Sequence, residues 1–287
     1  MKIAILSGKG GTGKTFISVN LANIVNNSLY IDCDIEEPNG HLFFDLKDID
    51  REPVNVKIPV VDDDLCNGCR ICVDFCKFNA LAYINEKLII FDDICHSCGG
   101  CTLFCPEKAL HEIDKEIGAI EKGLSNSKII YTGILNIGEP SGVPIIENLM
   151  DKIDTHRDND LAIIDCPPGN ACTVMETVKA ADYCIIVAEP SIFGVHNLDM
   201  ALQLVNIFNK PVGIVLNKCL PEANPAEEYC ITNNIRILAK IPFDKELGRL
   251  NADGYIISDI DNMYKDMFKG LLDELLKGDN HEAVINP

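Results

Sequence analysis

Short apolar runs recur along the chain, and most of them end where a turn begins. Continuous apolar runs of this length are typical of strands that are buried on both faces of a parallel sheet. They predict strands at Lys2 to Leu6, Ser28 to Cys33, Lys128 to Thr132, Leu161 to Asp165, Cys184 to Ala188 and Val212 to Leu216. Helical stretches lie between several of these runs, at Lys14 to Val25, Asn197 to Phe208 and Pro225 to Asn233. This alternation predicts an α/β fold with a doubly wound, mostly parallel sheet, and ligands are expected at the carboxyl ends of its strands.

The rhythm of strands and helices stops between roughly Pro59 and Glu112, where cysteines and turn residues replace it. Two short apolar segments, Ala80 to Ile84 and Lys87 to Phe91, lie within this stretch. We interpret the stretch as a small inserted α+β domain, residues 59–112. The α/β domain then comprises residues 1–58 and 113–287.

Composition narrows the class of protein. The 287 residues are 47% hydrophobic, enough for a buried core, and the formal net charge is -19. Such an acidic chain repels nucleic-acid phosphates and anionic lipid, and no basic run offsets this charge. The apolar runs are far shorter than the ~20 residues that span a bilayer. We therefore expect a cytoplasmic protein with protein partners, without nucleic acid and without membrane insertion.

A glycine-rich segment follows the first predicted strand and opens the first predicted helix. Its context is that of a phosphate-binding loop, because backbone N–H groups of the turn and the helix N-terminus both favour an anion. Lys14 is then placed to reach the outer phosphates of a nucleotide, and Thr15 to ligate Mg²⁺. The nucleotide-binding residues of this loop are Gly8, Lys9, Gly10, Gly11, Thr12, Gly13, Lys14 and Thr15.

An additional lysine, Lys9, gives this loop the variant form Lys-Gly-Gly-x-Gly-Lys-Thr. Two further motifs stand at the ends of predicted strands: Asp32-Cys-Asp34-Ile-Glu-Glu-Pro-Asn and Asp165-Cys-Pro-Pro-Gly169. With these motifs the chain resembles the P-loop ATPases of the MinD/Mrp type, a superfamily that includes ParA-like proteins and the nitrogenase iron protein. The resemblance covers the whole chain except the insertion.

The resemblance implies an ATP-binding homodimer, or a heterodimer with a related ATPase. In it Lys9 crosses to the partner's phosphates, Asp34 orients or activates the attacking water, and Asp165 holds Mg²⁺ through water. These roles suit phosphoryl transfer, which needs positioning and cationic stabilisation. The resemblance also implies that Asn217 contacts the adenine, with a turn at Ile241-Pro242 nearby. From the residues alone, Asp34 remains open to a role as a helix cap or turn residue, and Asn217 to one as a turn residue.

Eight of the 14 cysteines lie in two parallel runs within the insertion, which indicates an internal duplication. Both runs have the spacing Cys-x2-Cys-x2-Cys-x3-Cys. This is the spacing of bacterial ferredoxins with two 4Fe-4S clusters, in which the fourth cysteine of each run serves the other cluster. We predict one cluster on Cys66, Cys69, Cys72 and Cys105, and the other on Cys95, Cys98, Cys101 and Cys76.

Other metal chemistry remains open for these cysteines. Two zinc sites are the alternative, although zinc ribbons usually present two separated Cys-x2-Cys pairs rather than three ligands in one loop. Cys172 lies seven residues after Asp165, as a cluster ligand does in the nitrogenase iron protein, so a third cluster shared across a dimer is a further alternative. Against it, Ser141 stands in the region where that protein supplies its second cysteine.

The combination of motifs favours an ATP-gated electron carrier that acts on a protein redox partner. A second hypothesis is an ATPase that assembles clusters or delivers them to an acceptor protein. A third is a positioning or partition ATPase, which the acidic charge and the missing basic anchor disfavour. The two kinds of motif could also act independently, so the coupling of ATP to the clusters is a hypothesis.

Overall fold

The structure is a computed structural model that describes residues 1–156, 161–221 and 224–277. Its strands are β1 Lys2–Leu6, β2 Leu29–Asp32, β3 Lys47–Val61, β4 Leu81–Ile84, β5 Lys87–Ile90, β6 Leu110–Ser125, β7 Lys128–Leu135, β8 Ala162–Asp165, β9 Tyr183–Ala188, β10 Val212–Cys219 and β11 Ile237–Pro242. Its helices are α1 Lys14–Ile24, α2 Ile71–Phe75, α3 Gly100–Leu103, α4 Val143–Thr155, α5 Cys172–Ala180, α6 Ile192–Ile207, α7 Pro225–Thr232, α8 Lys245–Ala252, α9 Ile257–Ile260 and α10 Asn262–Lys277.

In the described part of the chain, nine strands form one sheet in the order β11-β10-β9-β1-β8-β2-β7-β6-β3. The strands from β11 to β7 are parallel, and β6 and β3 continue the sheet in antiparallel fashion. The predicted mostly parallel sheet is therefore confirmed, with the six predicted strands as β1, β2, β7, β8, β9 and β10. The winding direction reverses at β1, so a crevice opens at its carboxyl end.

Helices cover both faces of the sheet, which explains the continuous apolar runs. Alternate residues of β1 serve opposite cores: Ala4 and Leu6 pack beneath α4 to α7, whereas Ile3 and Ile5 pack beneath α1 and α8 to α10. Phe268 of α10 is fully buried in the second of these cores. Among the described helices, none is both long and apolar enough to cross a membrane.

Two long strands carry the insertion away from the sheet. Strands β3 and β6 pair from Lys47 with Leu124 to Val61 with Leu110, whereas β7 pairs with β6 only from Gly118 onward. The predicted boundaries at 58/59 and 112/113 fall inside these strands. Strands β3 and β6 thus form a two-stranded ribbon. Residues 62–109, which we call the tip segment, lie beyond it.

The tip segment has a small core of its own. The two apolar segments of the insertion form the hairpin β4–β5, and Leu81 and Leu88 of this hairpin pack with Ala80 and Leu110. The short helices α2 and α3 lie beside it. This core is separate from the two that cover the sheet.

The two cysteine runs have the same backbone conformation. Left-handed φ angles occur at equivalent positions, for example 65° at Arg70 and 69° at Gly99, each just before a short helix. The hydrogen bonds repeat as well: Asp62 N–H donates to Ala109 O at 2.7 Å, and Phe91 N–H donates to Ala80 O at 2.8 Å. The internal duplication in the sequence is therefore also a repeat in the backbone.

Candidate functional site

A cavity of about 590 Å³ opens at the carboxyl end of the sheet, where the glycine-rich loop joins β1 to α1. We call it the P-loop cavity. Gly11 and Gly13 have φ angles of 74° and 100°, which favour glycine, and a Cβ on Gly13 would lie 2.2 Å from Asn217 Nδ2. The predicted residues that line the cavity are Gly10, Gly11, Gly13, Lys14, Thr15, Asp34, Asn217 and Pro242.

The carboxylate of Asp165 is buried beside this loop, and only one of its two oxygens accepts a hydrogen bond within the described residues. Tyr30 Oη donates to its Oδ2 at 2.9 Å, whereas Oδ1 has no hydrogen-bond partner among the described residues. Burial raises the pKa of Asp165, and the ammonium of Lys14 opposes this effect. An unpaired buried oxygen is costly, so the arrangement fits a Mg²⁺ ion held by Thr15 and, through water, by Asp165.

Asp32 organises the loop that carries Asp34, a role that the sequence analysis missed. Its Oδ1 accepts the N–H of Asp34 at 3.1 Å, and its Oδ2 accepts those of Asn39 at 3.1 Å and Gly40 at 2.8 Å. An aspartate at a strand end often binds N–H groups that follow it, which is the signal in the sequence for this role. Asp32 thereby fixes the position of Asp34 at the P-loop cavity.

Asp34 itself has a carboxyl group with a raised pKa. Burial raises its pKa to about 6, although Lys14 acts in the opposite direction. A carboxylate with such a pKa is suited to accept a proton at physiological pH. The position of Asp34 at the cavity wall allows this chemistry.

Lys9 lies outside the lining of the P-loop cavity and forms an ion pair with Glu189, which follows β9. Glu189 also contacts Lys218 at 2.9 Å, and Lys218 Nζ donates to Gly11 O at 2.6 Å. Burial alone would raise the pKa of Glu189, but the two lysines hold it below its ordinary value. Neither Glu189 nor Lys218 was predicted as a site residue, because both lie far from the loop along the chain.

Asn217 and Pro242 both line the P-loop cavity, as predicted for nucleotide-binding residues, but their local structure adds detail that the sequence did not show. Asn217 Nδ2 donates to Thr12 O at 2.8 Å and is buried, so this side chain braces the phosphate loop. Ile241-Pro242 is the end of strand β11 rather than a turn, because it pairs with β10. A contact of either residue with adenine stays a prediction.

The eight cysteines of the two runs surround two small cavities in crossed sets. The first cysteine cavity is lined by Cys66, Cys69, Cys72 and Cys105, and the second by Cys76, Cys95, Cys98 and Cys101. The fourth cysteine of each run thus stands with the first three of the other run. Cys172 is exposed at the start of α5 and lines neither cavity.

The number of cysteines at each cavity bears on the kind of metal site. Within the described residues, no group of three or more His, Cys, Asp or Glu side chains is placed to hold a metal ion. Four sulfurs on one zinc at ~2.3 Å must lie within about 4 Å of each other, whereas a cuboidal cluster separates them further. Four sulfurs around a cavity are the arrangement that a cluster needs.

The surroundings of the sulfurs also suit a cluster. Ala80 N–H donates to Cys76 Sγ and Ala109 N–H to Cys105 Sγ, both at 3.3 Å. Such N–H donors stabilise thiolate ligands and influence the potential of a cluster. The residues present therefore fit two clusters, one in each cysteine cavity.

Comparisons with known proteins cover most of the chain. A family model described as the CobQ/CobB/MinD/ParA nucleotide binding domain matches residues 3–257. The uncharacterized protein MJ0578 of Methanocaldococcus jannaschii is 36% identical over 279 residues, with 96% of each chain covered. The uncharacterized protein MJ0579 of the same organism is 31% identical over 254 residues, with 86% of this chain and 87% of that protein covered.

A similar fold is found among solved structures. The septum site-determining protein MinD of Pyrococcus horikoshii, complexed with Mg-ADP, aligns over 98% of both chains with a TM-score of 0.57. The sequence identity in this alignment is 18%, so the likeness shows the fold alone.

Proposed function

Because the chain belongs to the CobQ/CobB/MinD/ParA family of nucleotide-binding proteins, we propose that it is an ATPase that couples nucleotide-dependent dimerisation to electron transfer through two 4Fe-4S clusters. One observation carries this proposal: the P-loop cavity and two cavities with four cysteines each occur in one chain. In this proposal residues 1–58 and 113–287 form one domain that binds ATP, and the inserted domain, residues 59–112, binds the clusters.

The ATPase residues divide between binding and chemistry. The glycines and Lys14 hold the phosphates, while Thr15 and Asp165 hold Mg²⁺. Asp34 accepts a proton from the attacking water, or orients that water, and its raised pKa suits this task. Lys9 leaves Glu189 and reaches the nucleotide of the partner subunit, which is a second copy of this chain or a related ATPase.

The eight cysteines of the two runs would hold the redox-active clusters. When bound, each cluster supplies one-electron redox chemistry. The first three cysteines of one run and the last of the other would hold each cluster, and the apolar side chains of Leu88 and Leu81 line the first and the second cysteine cavity, respectively. A protein redox partner receives or donates the electron.

An anaerobic redox titration monitored by EPR tests the proposal. We expect the reduction potential of at least one cluster to differ between nucleotide-free protein, its ADP complex and its complex with a nonhydrolysable ATP analogue. A coupling of ~1 to 3 kcal/mol corresponds to a shift of roughly 40 to 130 mV. Potentials that do not change with nucleotide would contradict gated electron transfer.

Cluster delivery is the second candidate, because Cys69 and Cys98 are exposed at the two sites. Unchanged potentials, combined with rapid transfer of iron and sulfide to an apo-ferredoxin, would favour this candidate. Stimulation of hydrolysis by DNA or lipid vesicles would instead favour a positioning ATPase.

The rate of ATP hydrolysis is expected to fall by about tenfold per pH unit below about pH 6. Burial raises the pKa of Asp34, so the carboxylate that accepts the proton is present above about pH 6 and is lost as the pH falls through this value. The measurement is kcat for ATP between pH 5 and pH 8. The Asp34→Asn variant should be slow throughout and lack this acidic limb; a wild-type rate that stays level down to pH 5 would oppose the assignment.

Releasing Lys9 from Glu189 is expected to ease dimerisation. In the Glu189→Gln variant the ion pair is lost, so dimers should form at a roughly fivefold lower concentration of nonhydrolysable ATP analogue, from an ion-pair energy of about 1 kcal/mol. Sedimentation velocity across a nucleotide series measures this. Glu176→Gln, which removes a surface pair with Lys179, is the control. A Glu189→Gln variant that dimerises like the wild type, or less readily, would count against Lys9 acting across the dimer.

A further inference from the structure

The two cysteine cavities differ in what lies next to them. The first cysteine cavity is lined by residues of the tip segment and by Leu110, where the ribbon begins. By contrast, residues 95–97 of the second also line a cavity of about 160 Å³, which Glu139 and Ser141 line as well. These residues belong to the segment between β7 and α4. Of the two cluster sites, the second is therefore the one whose loop borders the nucleotide-binding domain.

A group of ion pairs connects Glu139 with the residues that precede Cys95. Lys115 of β6 lies 3.2 Å from a carboxylate oxygen of Glu139, 3.6 Å from one of Asp92 and 3.7 Å from one of Asp93. The side chains of Lys115 and Glu139 are only 18% and 11% exposed, so their interaction is less screened than a surface pair. Asp92 and Asp93 form the turn that leads directly into Cys95. Lys115 thus links Glu139 to the loop of the second cysteine cavity.

The segment of residues 136–142, which carries Glu139, also lies against the nucleotide site. Leu135 N–H donates to Ile35 O at 2.8 Å, and Ile35 follows Asp34 in the lining of the P-loop cavity. At the far end of the segment, a Cβ on Gly142 would lie 1.9 Å from Ile35 Cδ1, so glycine allows the chain to approach Ile35 closely. Ile35 therefore lies against Leu135 and Gly142, which stand at the two ends of the segment that carries Glu139.

We propose that residues 136–142 transmit the nucleotide state of the Asp34 loop to the second cluster site and not to the first, with Lys115 and Glu139 as positioning residues. This inference rests on the proposed function, because it needs a cluster in each cysteine cavity. A shift of Ile35 on nucleotide binding moves the segment and alters the distance between Glu139 and Lys115. The charge and solvent exposure beside Cys95 then change, and both influence the reduction potential of a cluster.

The experiment uses the full chain with both clusters, titrated anaerobically under EPR with and without a nonhydrolysable ATP analogue. Variants Cys69→Ser and Cys98→Ser alter one ligand in each cysteine cavity and so assign each signal to its cavity. We expect the nucleotide-dependent shift in the signal that Cys98→Ser perturbs. Glu139→Gln and Lys115→Met should remove this shift, while the nucleotide affinity of the oxidised protein and the iron content stay at wild-type values.

A matched control lies on the same ribbon. Lys57 and Asp114 form an exposed ion pair at 2.9 Å, away from residues 136–142, so Lys57→Met should retain the full shift. A shift in the first cluster, an equal shift in both, or a shift that persists in Glu139→Gln would overturn the inference and leave the proposed function standing. Absence of any shift in the wild type would overturn the proposed function, and the inference with it.

Discussion

The Cys76→Ala variant is expected to lose the cluster of the opposite cysteine run and to keep the cluster of its own. The reason is the crossed arrangement, since Cys76 lines the second cysteine cavity together with Cys95, Cys98 and Cys101. Iron should fall from about eight to about four atoms per chain, and one EPR signal should disappear. The Cys105→Ala variant should give the same iron count but lose the other signal.

Ligand variants within the runs identify the missing signal. Cys98→Ala should remove the same signal as Cys76→Ala, whereas Cys69→Ala should remove the signal lost in Cys105→Ala. Cys172→Ala is the matched control, because this exposed cysteine lines neither cavity, and its iron content should equal that of the wild type. If Cys76→Ala and Cys69→Ala removed the same signal, each run would serve its own cluster and the crossed sets would be wrong.

Replacing Lys14 with alanine is expected to reduce ATP hydrolysis by about 10³-fold or more. Lys14 is 6% exposed, and the carboxylates of Asp34 and Asp165 lie near it. Without its ammonium group these negative charges would repel the phosphates, so nucleotide affinity should fall as well. Hydrolysis assays and equilibrium nucleotide binding measure the two effects.

Two controls separate loss of the site from loss of the fold. Lys179→Ala removes an exposed lysine from α5 and should hydrolyse ATP at the wild-type rate. The Lys14→Ala variant should retain its full iron content, because the cysteine cavities lie outside the P-loop cavity. Wild-type hydrolysis by Lys14→Ala would show that this loop is not the catalytic site.

The buried sheet was predicted from the sequence, whereas the ribbon was missed. A strand such as β9 is buried along its whole length, so its apolar run is continuous and easily recognised. The first half of strand β3 is exposed, whereas its second half alternates Val54, Val56, Ile58 and Val60 with other residues, a strand pattern that was missed and that contains Pro59, a residue unfavourable within a sheet. Its partner β6 provides the hydrogen bonds, and no local pattern reports a partner that lies across the insertion.

Among the site residues, those in continuous motifs were predicted and those brought together only by the fold were not. The phosphate loop and the cysteine runs are continuous motifs of recognisable spacing, so the sequence alone identified them. Glu189 meets Lys9, and Lys115 meets Glu139, only through the packing of distant elements. Tyr30 illustrates the same limit, because an apolar strand position gave no sign that its hydroxyl binds Asp165.

The central claim, that nucleotide binding and cluster oxidation state influence each other, has a reciprocal test. If nucleotide shifts a reduction potential, then reduction must change nucleotide affinity by the corresponding factor, because the coupling free energy is the same in both directions. The measurement is the dissociation constant of a nonhydrolysable ATP analogue for oxidised and for dithionite-reduced protein under argon. We predict constants that differ by roughly 5- to 150-fold. Equal constants in the two oxidation states would contradict the account.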